Sequence, residues 1–104
     1  MSLEISKRFD EEKSLWDIQL VGDVDIQSSS HLKEEINGML NQVETDLTID
    51  CANLSYIDST GLGVLIGVLK RVKLVEKEIT IVNAQNNIKK LLNITGLDKI
   101  FKIK

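Results

Sequence analysis

An α/β fold on a small, mainly parallel mixed sheet, packed with α-helices, is what this sequence predicts. Short stretches of alternating apolar and polar residues recur along the chain, the pattern of half-buried strands. Between them lie segments with apolar residues three and four apart, the pattern of amphipathic helices. The first two strand-like stretches are separated only by the charged turn Asp10 to Ser14, so strand and helix begin to alternate after an opening hairpin.

Leu3, Ile5 and Phe9 mark the first strand. Trp16, Ile18 and Leu20, alternating with Asp17, Gln19 and Val21, mark the second, and Gly22 to Gln27 reads as a loop carrying Asp23 and Asp25. Leu32, Ile36, Met39, Leu40 and Val43 form one apolar helical stripe, with Ser28 as the cap and Ser29 or Ser30 as alternatives. A short strand follows, from about Asp46 or Leu47 to Cys51. The next helix spans about Thr60 to Leu74 and is apolar enough over its first half to expect burial on two sides. Ile79 to Val82 reads as a strand and Asn86 to Leu92 as a short helix with Ile88, Leu91 and Leu92 inward. Gly96 suits the stop or turn after it, and Ile100, Phe101 and Ile103 suggest a weak last strand.

Size and composition narrow the function classes. A chain of 104 residues has room for one compact domain, expected over 1–104, and its 42% hydrophobic and 28% charged residues are ordinary for a globular protein. The longest uncharged apolar run, Gly61 to Leu69, falls far short of the ~20 residues of a membrane span. Glu4, Lys7, Arg8 and Asp10 to Lys13 break up any apolar leader, so a cytoplasmic protein is expected. Residues 1–52 carry 12 acidic and 4 basic side chains, whereas residues 53–104 carry 4 acidic and 9 basic. The basic half does not read as a nucleic-acid surface. Lys70, Arg71 and Lys73 suit the end of a helix, and the aromatic residues are too scattered to stack bases.

Catalytic and cofactor patterns fail residue by residue. Gly61-Leu62-Gly63 is followed by Gly67, one place late for a dinucleotide fingerprint, and no Gly-Lys-Ser/Thr triplet marks a phosphate loop. Ile57 stands where a nucleophile elbow needs glycine. Cys51 and His31 are single and distant, so they offer no disulfide and no zinc-ligand spacing. Asp23, Asp25 and Asp58 could hold a hard cation, but loop carboxylates more commonly cap helices and shape turns. The expectation is a non-enzyme without metal or cofactor.

One block remains: Tyr56-Ile57-Asp58-Ser59-Thr60-Gly61-Leu62-Gly63, between a strand and a helix. Ser59 at a helix start would sit near backbone N–H groups and the positive end of the helix dipole, a setting that holds phosphate. On spacing alone the plainer reading is favoured, because cap serines are common and phosphoserines are not: Asp58 or Ser59 is an N-cap, with Gly61 as the residue that lets the turn form.

The block resembles the phosphorylation site of bacterial anti-sigma factor antagonists, whose fold is named STAS. In that family an Asp-Ser-Ser/Thr-Gly-Leu-Gly block carries the phosphorylated serine, which corresponds to Ser59. Leu20-Val21-Gly22-Asp23-Val24-Asp25 resembles the family's Gly-Glu-hydrophobic-Asp segment. Leu54-Ser55-Tyr56-Ile57 is similar to the approach to the site, and Asn93-Ile94-Thr95-Gly96-Leu97 to the turn after the third helix. Two places depart from the family: Asp23 stands for its usual glutamate, and Val75-Glu76-Lys77-Glu78 for a turn that often has a Gly-Gly pair. That turn should force a non-glycine residue into a left-handed conformation or take another shape.

The resemblance implies a phosphorylation-controlled partner switch. The unphosphorylated form would bind an anti-sigma factor that is also a serine/threonine kinase, and so free a sigma factor. Phosphorylation of Ser59 would abolish binding, and a serine phosphatase would restore it. The implied surface comprises Asp23, Asp25, Asp58, Ser59, Thr60, Gly61, Leu62 and Gly63, with free N–H groups at residues 60–62 taking up part of the phosphate charge. The same fold also serves as a non-switching scaffold or transporter-associated module, which stays open as the alternative.

Overall fold

In the computed structural model, which describes residues 2–104, strands β1 (Leu3–Asp10) and β2 (Leu15–Val24) form the opening hairpin. Helix α1 (Ser29–Gln42), strand β3 (Asp46–Ile57), helix α2 (Ser59–Lys73) and strand β4 (Ile79–Val82) follow. Helix α3 (Asn86–Ile94), a 3₁₀ turn at Leu97–Lys99 and strand β5 (Lys102–Ile103) complete the chain. The five strands make one sheet in the order β1-β2-β3-β4-β5. β1 is antiparallel to β2, and every later pair is parallel.

Each parallel connection advances one strand in the same direction. Right-handed crossovers of this kind put all three helices on one face of the sheet. The strand alternation follows from that. Trp16, Ile18 and Leu20 of β2, Leu47 and Ile49 of β3, and Ile79 and Ile81 of β4 are buried in one core with apolar residues of α1, α2 and α3. Their neighbours Asp17, Gln19, Thr48, Asp50 and Thr80 occupy the other face and are half-buried. Leu32, Ile36, Met39 and Leu40 of α1 and Ile88 and Leu92 of α3 supply core residues at helical spacing. Each such aliphatic side chain contributes about 1.5–3 kcal/mol when fully buried.

Several elements differ from the sequence expectation. β2 runs to Val24, so Gly22 and Asp23 are strand rather than loop. Gly22 has φ 107°, and the carbonyl oxygen of Ser2 occupies the space a Cβ would need. β3 extends six residues past Cys51 to Ile57, and at two places it fits one more residue than β2 opposite it. Beyond Asp50 it has no β4 neighbour. There, side-chain amides replace a strand: Gln85 Nε2 donates to Ala52 O at 2.9 Å and Asn87 Nδ2 to Ser55 O at 3.0 Å.

α2 is buried along one face, by Gly61, Leu62, Leu65, Val68, Leu69 and Val72, while Gly63, Gly67 and Lys70 are exposed. Burial on two sides is therefore not found. The turn after α2 does use a left-handed non-glycine residue, Glu76, at φ 61°. Glu76 N–H donates to Lys73 O and Lys77 N–H to Val72 O, the paired bonds of a Schellman stop. β5 is shorter than expected: Phe101 is buried just before it, and Ile100 is exposed.

Candidate functional site

Because β2 and β3 are parallel, the segments that leave them emerge at the same end of the sheet. Asp58 N–H donates to Val24 O at 3.1 Å and locks the two exits together. Gly61 brings the start of α2 close against them. A Cβ there would lie 2.5 Å from Val24 Cγ1 and 2.7 Å from Ile57 Cγ1, so only a hydrogen fits.

Asp58 is the N-cap of α2, which resolves the choice between Asp58 and Ser59. Its Oδ1 accepts from Thr60 N (3.0 Å), Gly61 N (3.1 Å) and Thr60 Oγ1 (2.5 Å). The Thr60 hydroxyl and the Gly61 amide hold this carboxyl below the usual aspartate range. Leu62 N–H donates to Asp58 O at 3.0 Å. The N–H groups of residues 60–62 are thus occupied, and the expectation that they are free for a phosphate is corrected. Ser59, the first helical residue, is exposed, and its hydroxyl has no hydrogen-bond partner among the described residues.

The facing loop is held by its own polar groups. Asp25 Oδ1 accepts from Gln27 N and Ser28 N, both at 3.0 Å, and Asp25 N–H donates to Ser28 Oγ at 2.9 Å. The Ser28 amide lowers the Asp25 carboxyl from its ordinary value. Ser28 stands at the N-cap position of α1 but makes no side-chain cap bond, because its hydroxyl turns back to Asp23 O and Asp25 Oδ1. Asp25 and Asp58 are therefore taken up by turn and cap. The described residues hold no cluster of three or more His, Cys, Asp or Glu able to hold a metal, and no helix long and apolar enough to cross a membrane. Cys51 is buried, and burial pushes its thiol pKa up to about 12.

Comparison with known proteins adds the family. The model of the STAS domain matches residues 7–104. A Staphylococcus epidermidis protein, anti-sigma-B factor antagonist, is 31% identical over 88 residues, covering 85% of this chain and 82% of its own. This chain belongs to the STAS-domain family of anti-sigma factor antagonists. The anti-sigma-B factor antagonist of Staphylococcus aureus (strain COL) is 29% identical over 92 residues, 88% of this chain and 85% of its own. In fold, an anti-sigma factor antagonist from Mycobacterium paratuberculosis superposes with a TM-score of 0.87 at 20% identity, over 98% of this chain and 85% of that one. Unphosphorylated SpoIIAA gives 0.75 at 17% identity, over 99% and 87%.

Within this STAS protein the anticipated surface divides in two. Asp25, Asp58, Ser59, Thr60 and Gly63 reach solvent. Asp23 is only 6% exposed, Leu62 only 7%, and Gly61 is buried, so these three build the site from beneath. Asp23 is buried because β2 carries it into the sheet, opposite Tyr56. The structure also brings up two residues that the anticipated partner surface left out, Ile26 outside the motif block and Tyr56 at its start. Ile26 (73% exposed) and Tyr56 (52%) stand on the segments flanking Ser59. An isolated isoleucine between Asp25 and Gln27, with no periodic partner, was the available signal. Between α1 and α2 runs an open groove of about 420 Å³, with Lys33 and Asn37 on one wall and Thr60, Gly63, Val64 and Gly67 on the other.

Proposed function

We propose that this protein is an anti-sigma factor antagonist switched by phosphorylation of Ser59. The observation that carries the reading is the division of labour in Asp58-Ser59-Thr60-Gly61. Asp58 binds the Thr60 hydroxyl and the adjacent amides, whereas Ser59 offers an uncommitted hydroxyl at the helix start. A kinase would find one accessible acceptor there rather than two. Relatives that are themselves anti-sigma-B factor antagonists support the reading, as do structures of SpoIIAA with and without phosphate.

The unmodified form binds an anti-sigma factor that is also a serine/threonine kinase, in the cytoplasm, and displaces the sigma factor. Ile26 and Tyr56 are suited to be its apolar anchors, with Asp25, Asp58, Ser59, Thr60 and Gly63 as the polar rim. Phosphate on Ser59 adds about −1.5 to −2 charges beside Asp58, in an interface fitted to a small hydroxyl. A loss of ~3–4 kcal/mol reduces affinity several hundredfold. A serine phosphatase resets the switch.

The test is recovery of the protein from its own cell extract, followed by ATP. A co-purifying kinase should add one phosphate at Ser59, with loss of the complex. A complex that stays intact and takes no phosphate would instead point to a non-switching docking module, with Ser59 merely starting a helix.

A further inference from the structure

The amides of Thr60 and Gly61 at the start of α2, among the usual receptors for a phosphate at that position, are held by Asp58. A phosphate on Ser59 therefore needs another counter-charge. The groove beside Ser59 supplies one candidate cation, Lys33, on the wall opposite Thr60 and Gly63. Ser59 and Gly63 are one helical turn apart on the same face of α2. A Cβ at Gly63 would meet nothing within 4 Å, so the groove is open at the turn below Ser59, next to its lining residue Thr60.

Lys33 is also uncommitted. Several other cations are engaged, Lys7 with Glu35, Arg8 with Asp17, Lys73 and Lys102 with Glu78, and of the unpaired lysines Lys33 is the one that lines this groove. Arg71, the nearest guanidinium on the α1–α2 seam, is bound to Glu44, Asn37 and Asn41. Lys33 forms no ion pair among the described residues. Its neighbours three and four places along α1 are Ser29, Ser30, Ile36 and Asn37, none of them acidic.

We infer that Lys33 is the intramolecular partner of phosphorylated Ser59: its ammonium crosses the glycine-lined groove and pairs with the phosphate. The inference rests on Ser59 as the modified residue, and it adds a regulatory consequence. The modified state masks part of its own new charge and closes the mouth of the α1–α2 groove, so phosphorylation changes the shape of this face as well as its charge.

The experiment places phosphoserine at position 59 during translation, so no kinase is needed. Phosphorus NMR then follows the second ionisation of the phosphate in the unmutated chain and in Lys33→Gln, Lys33→Arg and Lys70→Gln variants. Lys33→Gln should raise that pKa by about 0.5, while Lys33→Arg and Lys70→Gln leave it near the unmutated value. A Lys33→Gln titration superimposable on the unmutated one would overturn the inference. A second readout needs no mutation: the Lys33 ammonium nitrogen signal should shift when Ser59 carries phosphate, and an unshifted signal would equally overturn it. Because the phosphate is installed directly, a failure here leaves the kinase-binding reading untouched. Failure to recover a kinase likewise leaves this result standing.

Discussion

Asp58 does two jobs at once, as cap of α2 and as neighbour of the proposed phosphate acceptor, and the first has a measurable pH signature. Its folded pKa lies below its ordinary value, chiefly through Thr60 Oγ1 and Gly61 N–H. A depressed carboxyl contributes stability above its unfolded pKa, near 3.9, and loses that contribution as pH falls through the folded value. Asp58→Ala should therefore melt about 4–8 °C below the unmutated protein at pH 7. The gap should narrow as pH drops below about 4. Thermal melts across that range check it, and a gap independent of pH would contradict the cap. From sequence alone, Asp58 and Ser59 were equivalent cap candidates, since both residue types are good N-caps. What separates them is backbone geometry: Asp58 is extended, at φ −102° and ψ −175°, while Ser59 is already helical. The same geometry gives the amides of residues 60 and 61 to Asp58, which the motif could not reveal.

At the scale of elements, strands with clean alternation were legible and those shaped by their neighbours were not. β2 follows Trp16, Ile18 and Leu20, and α1 follows its stripe from Leu32 to Leu40. β3 seemed to end at Cys51 because Ala52 and Asn53 break the alternation. The strand continues through two irregularities, with Gln85 and Asn87 of the α3 segment substituting for a paired strand. Those partners lie more than thirty residues away, where no local pattern can show them. The turn after α2 was legible as a problem, and Glu76 pays no attention to the usual glycine rule there, with φ 61°. A left-handed non-glycine residue costs about 1–2 kcal/mol, and glycine's extra freedom in the unfolded chain offsets part of the gain from replacing it. Glu76→Gly should stabilise the protein by about 0.5–1 kcal/mol, read as a higher denaturant midpoint at unchanged slope. A lower midpoint would mean that the Glu76 side chain holds the turn.

Across the whole molecule, one topological fact organises the site. Successive crossovers in the same direction stack the helices on a single face and bring the exits of β2 and β3 to one end. Ser59 sits at that end with Ile26 and Tyr56 on flanking segments, above a floor of Gly61, Leu62 and Val24 packed into the core. The order of elements was legible because periodicity and short turns specify it. The solvent-facing character of Ile26 and Tyr56 was not, because it depends on which neighbours the fold leaves out. A hydroxyl that makes no internal bond can be modified without breaking one, so the proposed switch at Ser59 would act at the surface and leave the backbone unchanged. The measurement that bears most directly on the proposed switch is the affinity of the proposed anti-sigma kinase for the unmodified protein and for the same chain carrying phosphate on Ser59. The account predicts binding several hundredfold weaker for the phosphorylated chain, with backbone NMR shifts changed only around the β2–α1 loop, the α2 start and the α1–α2 groove. Equal affinity for the two forms would contradict it.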